Sequence, residues 1–255
     1  MTKKTLLLTG ATGFFGSRIN KKLKKKYKIL SPSSKKLNLL SRKSISKYLE
    51  KNKIDIIVNS AWKINSTIDT EKVRVNNYKK NIIMAKNLTT ISRDYSIKYF
   101  LNISSINVYE PQNYKLFEKN LLKNKRNQSR NLEGKSKLFL IKQFNKISFR
   151  RLKYKNLLFS NIYGFNKDTK NPLLVDKIFH NLYLNKKYMI TLPIKNKLII
   201  DYIFINDAVI AVDFFLQKLI KDKFKHPFVN IGSGKGYKIE EIFNLIDKKK
   251  KYKKK

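Results

Sequence analysis

The sequence predicts an α/β fold: a doubly wound parallel sheet with a small, shortened C-terminal lobe. Three observations predict it. Short apolar runs alternate with longer amphipathic stretches along residues 5–164, the pattern of right-handed strand–helix–strand units. The apolar runs are nearly continuous, as a sheet covered on both faces requires. The first run, Leu6–Leu8, leads into three glycines at three-residue spacing, Gly10, Gly13 and Gly16.

Taken in order, residues 5–9 form a first strand and 14–26 a helix with Ile19 and Leu23 on one face. Tyr27–Leu30 is a second strand, followed by a polar loop over Ser31–Lys36. A helix near 43–52 leads to a buried strand at Ile54–Asn59, and a long helix covers roughly 71–95. Tyr99–Ser104 is the next strand, residues 110–130 read as polar loop, 132–153 as helix and Asn156–Ser160 as strand. Beyond Gly164 the alternation loosens. Strands at Asp201–Ile205 and Phe228–Ile231 flank a helix near 207–221, while 165–200 and 233–255 suggest the small lobe. The run Lys248–Lys255 is expected to be disordered by self-repulsion.

With 255 residues and 42% hydrophobic content, the chain can bury the core of one such domain plus an appendage. It has no cysteine, which excludes disulfides, thiolate metal sites and a cysteine nucleophile. His180 and His226 are its only histidines and lie in different segments, so neither a catalytic histidine nor a metal site is expected. No apolar stretch approaches membrane-spanning length, and Gly10 and Gly13 interrupt the early apolar run too soon for a signal peptide. The reading is cytoplasmic, with no membrane partner. The net charge of +41 is spread over almost every segment. Codon bias toward lysine, asparagine and isoleucine accounts for it, with specific nucleic-acid binding as the alternative; nonspecific attraction to polyanions follows either way.

The glycine segment carries the chemistry. A strand–turn–helix of this kind aims free backbone N–H groups and a positive helix end at an anion. Gly10 allows the tight turn, Gly13 lets the backbone approach a diphosphate, and Gly16 lets helix and strand pack closely. A glycine-rich turn without a ligand is the alternative. The loop after the second strand, Ser31 to Lys36, holds no acid for a ribose 2′-hydroxyl; its hydroxyls and cations, with Ser33 and Lys35 foremost, suit a 2′-phosphate instead. A plain lysine-rich loop is the alternative there.

Five further segments follow in order: Asn59-Ser60-Ala61-Trp62, Ser104-Ser105-Ile106-Asn107-Val108-Tyr109, Asn161-Ile162-Tyr163-Gly164, Asp201-Tyr202-Ile203-Phe204-Ile205-Asn206-Asp207, and Asn230-Ile231-Gly232-Ser233-Gly234. With the G-x-x-G-x-x-G turn, this series resembles the extended short-chain dehydrogenase/reductases, the NAD-dependent epimerase/dehydratases that act on nucleotide sugars. The GDP-fucose synthases and dTDP-dehydrorhamnose reductases are the branches it is most similar to. The resemblance spans residues 5 to 245 and implies a Rossmann-type NAD(P)-binding domain over 1–164. It implies remaining Rossmann elements near 201–231 within 165–247, beside a substrate lobe, and a tail over 248–255.

The resemblance also implies site residues. Gly10, Thr12, Gly13, Phe14, Phe15 and Gly16 would hold the dinucleotide's diphosphate. Ser33, Lys35, Asn38 and Leu39 would lie at its adenosine end, and Ser60, Ala61, Trp62 and Asn161 would line it. NADP is expected in preference to NAD, a nucleotide sugar is the implied substrate, and helices near 75–95 and 135–150 could pair in a homodimer. Hydride transfer in this family uses a serine, a tyrosine as acid/base, and a lysine four residues after the tyrosine. Ser105 and Lys137 match the serine and lysine, a capping or turn hydroxyl being the alternative for Ser105. Glu133-Gly134-Lys135-Ser136-Lys137 aligns with the family's Tyr-Gly-x-Ser-Lys, so Glu133 stands in the tyrosine's place.

That replacement changes the chemistry. A carboxylate titrates near about 4.3 and a phenol near about 10, so Glu133 would take a proton more readily than give one. Residues four apart on a helix share a face, so Glu133 should pair with Lys137. Tyr183, with Lys187 four residues on, has the right spacing in the wrong context and reads as a surface helix turn. The family's arginine before Asp-Tyr is Ile200 here, with Lys195 or Lys197 as nearby cations. Two functions therefore stand: an NAD(P)-dependent nucleotide-sugar epimerase, dehydratase or reductase, or a non-catalytic NAD(P)-binding relative acting as sensor or regulatory module. A basic polyanion-binding protein on the same scaffold is a third.

Overall fold

The computed structural model describes residues 3–65, 69–95, 97–110, 116–123, 125, 128–146, 152–165, 173–184, 199–223 and 226–252. Six parallel strands form the main sheet in the order β2 (Lys28–Leu30), β1 (Thr5–Thr9), β3 (Ile56–Asn59), β4 (Tyr99–Ser105), β5 (Lys153–Phe159), β8 (Phe228–Ile231). The strand path reverses between β1 and β3, and in such sheets the crevice beyond the strands' carboxyl ends at that point is where ligands bind.

Period-two alternation divides the core. Leu6 and Leu8 of β1 face α1 (Phe14–Leu23) and α7 (Ile205–Ile220), among Ile19, Leu23, Val212 and Leu216. Leu7 faces the other side, where α2 (Arg42–Lys51), α3 (Glu71–Asp94) and α5 (Leu132–Lys146) bring Ile45, Leu88 and Phe144. Side-chain caps start two of these helices: Ser41 accepts from the Ser44 N–H and Thr70 from the Val73 N–H.

One polar row crosses this core. Thr9 Oγ1 donates to Asn59 Oδ1 at 2.6 Å, Asn59 Nδ2 to Asn102 Oδ1 at 2.9 Å, and Asn102 Nδ2 to Asn156 Oδ1 at 3.0 Å. Asn156 Nδ2 donates to the Pro227 carbonyl at 3.2 Å. The four side chains are paired in register across β1, β3, β4 and β5 and are buried. A one-residue slip would leave buried amides without partners, at about 1–3 kcal/mol each, so the row pins the strand ends that build the crevice.

A second sheet orders β6 (Asn161–Tyr163), β7 (Ile200–Phe204) and β9 (Gly236–Tyr237). β7 therefore lies in this sheet, while α7 and β8 of the same stretch join the main one. The lobe adds α6 (Leu174–Tyr183) and α8 (Ile239–Tyr252), with Ile178, Tyr202 and Ile242 buried between them.

Three expectations need correction, and one further helix was not anticipated. Helix α5 ends at Lys146, and Lys153–Lys155 are strand, because β4 pairs Tyr99–Leu101 with them. A short helix, α4 (Glu118–Leu121), interrupts the loop expected over 110–130. α6, whose apolar face packs on β7 and α8, was not legible as a helix. α8 stays helical to Tyr252, into the run expected to be disordered. Lysine is a good helix former, and Glu240 and Glu241 in the first turn suit the helix dipole. Residues 253–255, Lys187, Lys195 and Lys197 lie outside the described residues.

Candidate functional site

The first βα junction is shaped by the chain's own sterics at two glycines and by nothing at the third. Gly10 has φ +70°, and a Cβ there would stand 2.6 Å from the Ser60 carbonyl carbon. A Cβ on Gly16 would land on the Gly10 carbonyl oxygen. Both glycines are dictated by packing of β1, α1 and the end of β3. Gly13 differs: its φ is −75°, it is exposed, and a Cβ would meet only the Gly10 carbonyl oxygen at 3.4 Å. Gly13 is also the N-cap of α1, with no side chain capping the helix. The α1 N-terminus thus presents uncapped N–H groups behind a residue whose missing side chain faces open space, a fit for a bound diphosphate.

The neighbours follow from this turn. Thr12 is exposed and Phe14 half-buried. Phe15 packs edge-on against Phe159 at 5.1 Å. The sequence reading passed over Arg18: one turn into α1, its guanidinium lies 4.6 Å over the Phe14 ring and donates to the carbonyls of Phe14 and Phe165. An arginine on the helix face nearest the glycines was the available signal.

At the β2 end, Ser33 and Lys35 are exposed. The loop closes on itself, the Ser33 carbonyl accepting from the Lys36 and Leu37 N–H groups. Asn38 Oδ1 is spent on the Leu40 N–H at 3.0 Å, and Leu39 is buried against α2 and α3. At the β3 end, the Ser60 N–H donates to the Thr9 carbonyl at 3.2 Å. Ala61 and Trp62 pack on the core, and Trp62 Nε1 donates to Ser136 Oγ at 3.3 Å. Asn81 of α3, buried, holds Lys63 by both its N–H and its carbonyl.

Ser136 links that loop to the chemistry end. Its hydroxyl donates to the Glu133 carbonyl at 2.7 Å, and Asn131 Oδ1 accepts from the Gly134 N–H at 2.7 Å, fixing the first turn of α5. A Cβ on Gly134 would land on the Asn107 carbonyl oxygen, so this turn sits hard against the 3₁₀ turn Ile106–Val108 that follows Ser105. Ser105 Oγ accepts from the Asn107 N–H at 3.2 Å, the turn-hydroxyl geometry. Lys137 Nζ and Glu133 Oε1 pair at 3.1 Å, with side chains only 14% and 19% exposed. Ser105, Glu133 and Lys137 thus gather where α5 meets the end of β4.

The remaining motif residues divide between lining and scaffolding. Asn161 is exposed at the start of β6. Tyr109 is buried and donates to Asn230 Oδ1 at 3.0 Å; burial pushes its phenol up to about 12. Asp201 accepts from the Ser233 and Gly234 N–H groups at 2.9 Å each, and Gly232 leaves it room. The Asp-Tyr and Asn-x-Gly-x-Gly segments therefore brace each other. Ile200 begins β7 opposite Tyr237.

The profile of the NAD dependent epimerase/dehydratase family matches residues 6–232. The chain belongs to that family. Among curated relatives, this family member is 26% identical over 253 residues to the GDP-L-colitose synthase of Yersinia pseudotuberculosis, spanning 95% of this chain and 81% of that one. It superposes on the UDP-glucose 4-epimerase of Thermotoga maritima, solved with UDP-glucose, with a TM-score of 0.79 and 20% identity over 96% of this chain and 82% of the other. It also superposes on the GDP-mannoheptose C4 reductase of Campylobacter jejuni, solved with NADP bound, with a TM-score of 0.80 and 18% identity over 97% and 84%. The two structures share its fold.

Tyr183 corrects one expectation. It is no surface turn: its hydroxyl donates to the Ile246 carbonyl at 3.0 Å and its ring stacks on Phe179, tying α6 to α8. Among the described residues no group of three or more His, Asp or Glu could hold a metal ion, and no helix is long and apolar enough to cross a membrane.

Proposed function

We propose that this family member binds a nicotinamide dinucleotide, NADP in preference to NAD, and acts on a nucleotide sugar by hydride transfer as an epimerase, dehydratase or reductase. The observation that carries it is Gly13, the one glycine of the turn that the protein's own packing does not require. The bound dinucleotide would supply hydride exchange at its nicotinamide ring. The backbone of Gly10–Gly16 holds its diphosphate, Ser33 and Lys35 meet the 2′-phosphate, Asn38 and Leu39 border the adenosine, and Ser60, Ala61, Trp62 and Asn161 line the rest. Lys137 binds the nicotinamide ribose. Ser105 would share the sugar oxygen that reacts, and Glu133 would take its proton when the sugar is oxidised and return it when the keto sugar is reduced. The named activities of the relatives support a nucleotide sugar as substrate. α3 and α5 lie side by side and offer the faces for a homodimer.

A second reading is a non-catalytic relative that binds the dinucleotide as a sensor or regulatory module. The Glu133–Lys137 ion pair favours it, because that pair contains no phenolic proton donor. Titration with NADPH by its fluorescence, followed by a 4-keto nucleotide sugar, separates the two. Binding with turnover supports the enzyme; binding without turnover supports the module. Absence of binding overturns both.

A further inference from the structure

At the opposite edge of the main sheet from the glycine turn, a cavity of about 280 Å³ opens where β5 and β8 begin and α7 ends. Lys153, Tyr154, Lys155, Leu219, Asp222 and Pro227 line it. Lys155 is the only lysine among the described residues with less than a tenth of its surface exposed, at 8%. Its stem is enclosed by the sheet, and its Nζ donates to the His226 carbonyl, just before β8. Its position combines what a reactive amine needs. The nitrogen is withdrawn from bulk water, it is held by a carbonyl oxygen, and it borders a space open to a small molecule.

We propose that Lys155 is a modification site, an amine acylated by small acyl phosphates that enter this cavity. The charges around it suit such a donor. Lys153 and Lys155 are cationic, and the one carboxylate lining the space, Asp222, is paired with Lys153 at 2.8 Å. A small dianion is therefore drawn in by net positive charge. Burial, opposed by Asp222, lowers the Lys155 ammonium to about 8, so a useful share of it is neutral near physiological pH. The neutral amine attacks the acyl carbon. A C–N bond forms, the C–O bond to phosphate breaks, and orthophosphate leaves with the bonding pair. The proton lost from nitrogen goes to water. The amide product has lost the charge, and β8 is then held less firmly at its start.

The test uses the unaltered full chain. Acetyl phosphate is added near neutral pH for a short time, and acetylation of each lysine is measured by mass mapping of chymotryptic peptides. Lys155 should react at least about ten times faster than the median of exposed lysines such as Lys21 and Lys47. Its rate should level off above about pH 8, where an amine with the reference lysine value of about 10.4 would keep gaining. Inorganic phosphate should slow Lys155 alone, since it competes for the cavity. A rate at or below the median, a rate that keeps climbing above about pH 8, or indifference to phosphate would each overturn the assignment.

Discussion

The turn at Gly10–Gly16 and the turn at Glu133–Lys137 stand at the same sheet edge, yet are built by different means. The first is a backbone device. Gly10 and Gly16 are fixed by carbonyl groups that a Cβ would strike, and the groups left without a side-chain cap at the α1 N-terminus are main-chain N–H groups. The second is a side-chain device: a carboxylate and an ammonium 3.1 Å apart, on a helix turn wedged against the loop after Ser105. A backbone device tolerates change elsewhere in the sequence, because any chain that folds this way rebuilds it. A side-chain device changes its chemistry with one substitution, and under the proposed function Glu133 would be such a change. Under the proposed function, holding the dinucleotide and moving the proton would therefore be separable.

The separation can be broken at several points. The largest effect is expected from Gly16→Val. The new side chain meets the Gly10 carbonyl, so the variant should lose about 3 kcal/mol or more of stability, read as a lower denaturation midpoint; an unchanged midpoint would contradict the close packing. Glu133→Tyr restores a proton donor beside Lys137. It should create or raise 4-keto-sugar reduction by about a hundredfold, with NADPH affinity unchanged. Turnover that stays the same would count against the correspondence of Glu133 with the family's tyrosine. Lys35→Glu should shift preference from NADPH toward NADH by about tenfold, close to 1.4 kcal/mol, through repulsion of a 2′-phosphate. Equal affinities before and after would remove Lys35 from the site.

The smallest effect concerns pH. Burial is the main reason the phenols of Tyr27, Tyr109 and Tyr202 are pushed up to about 12. Unfolded, each titrates near about 10. The stabilisation is fully present below pH 10 and is lost as pH rises from 10 toward 12, since the unfolded chain sheds these protons first. Alkaline unfolding should set in over that window, and phenolate absorbance should show Tyr27, Tyr109 and Tyr202 titrating late. Tyr109 titrating with the exposed ones would contradict its burial beside Asn230.

The main sheet was legible because its strands are apolar runs with one register each, and the glycine turn because its spacing states its geometry. The ion pair was legible from a four-residue separation on a helix. The lobe was less so. β6 and β9 are short strands that exist only by pairing with β7, and α6 owes its burial to partners distant in sequence. Lys153–Lys155 are polar by composition and strand by register with β4. Arg18 escaped notice because its one signal, a place on the helix face nearest the glycines, does not stand out on so basic a chain.

The measurement closest to the central claim is NADPH binding to Gly13→Val beside the unaltered chain. A Cβ at Gly13 meets only one carbonyl oxygen at van der Waals distance, so the variant should fold with the same denaturation midpoint. It should also fail to enhance NADPH fluorescence where the parent does so. Equal affinity in the two proteins would mean that the diphosphate does not rest on the α1 N-terminus, and the account of the site would fall.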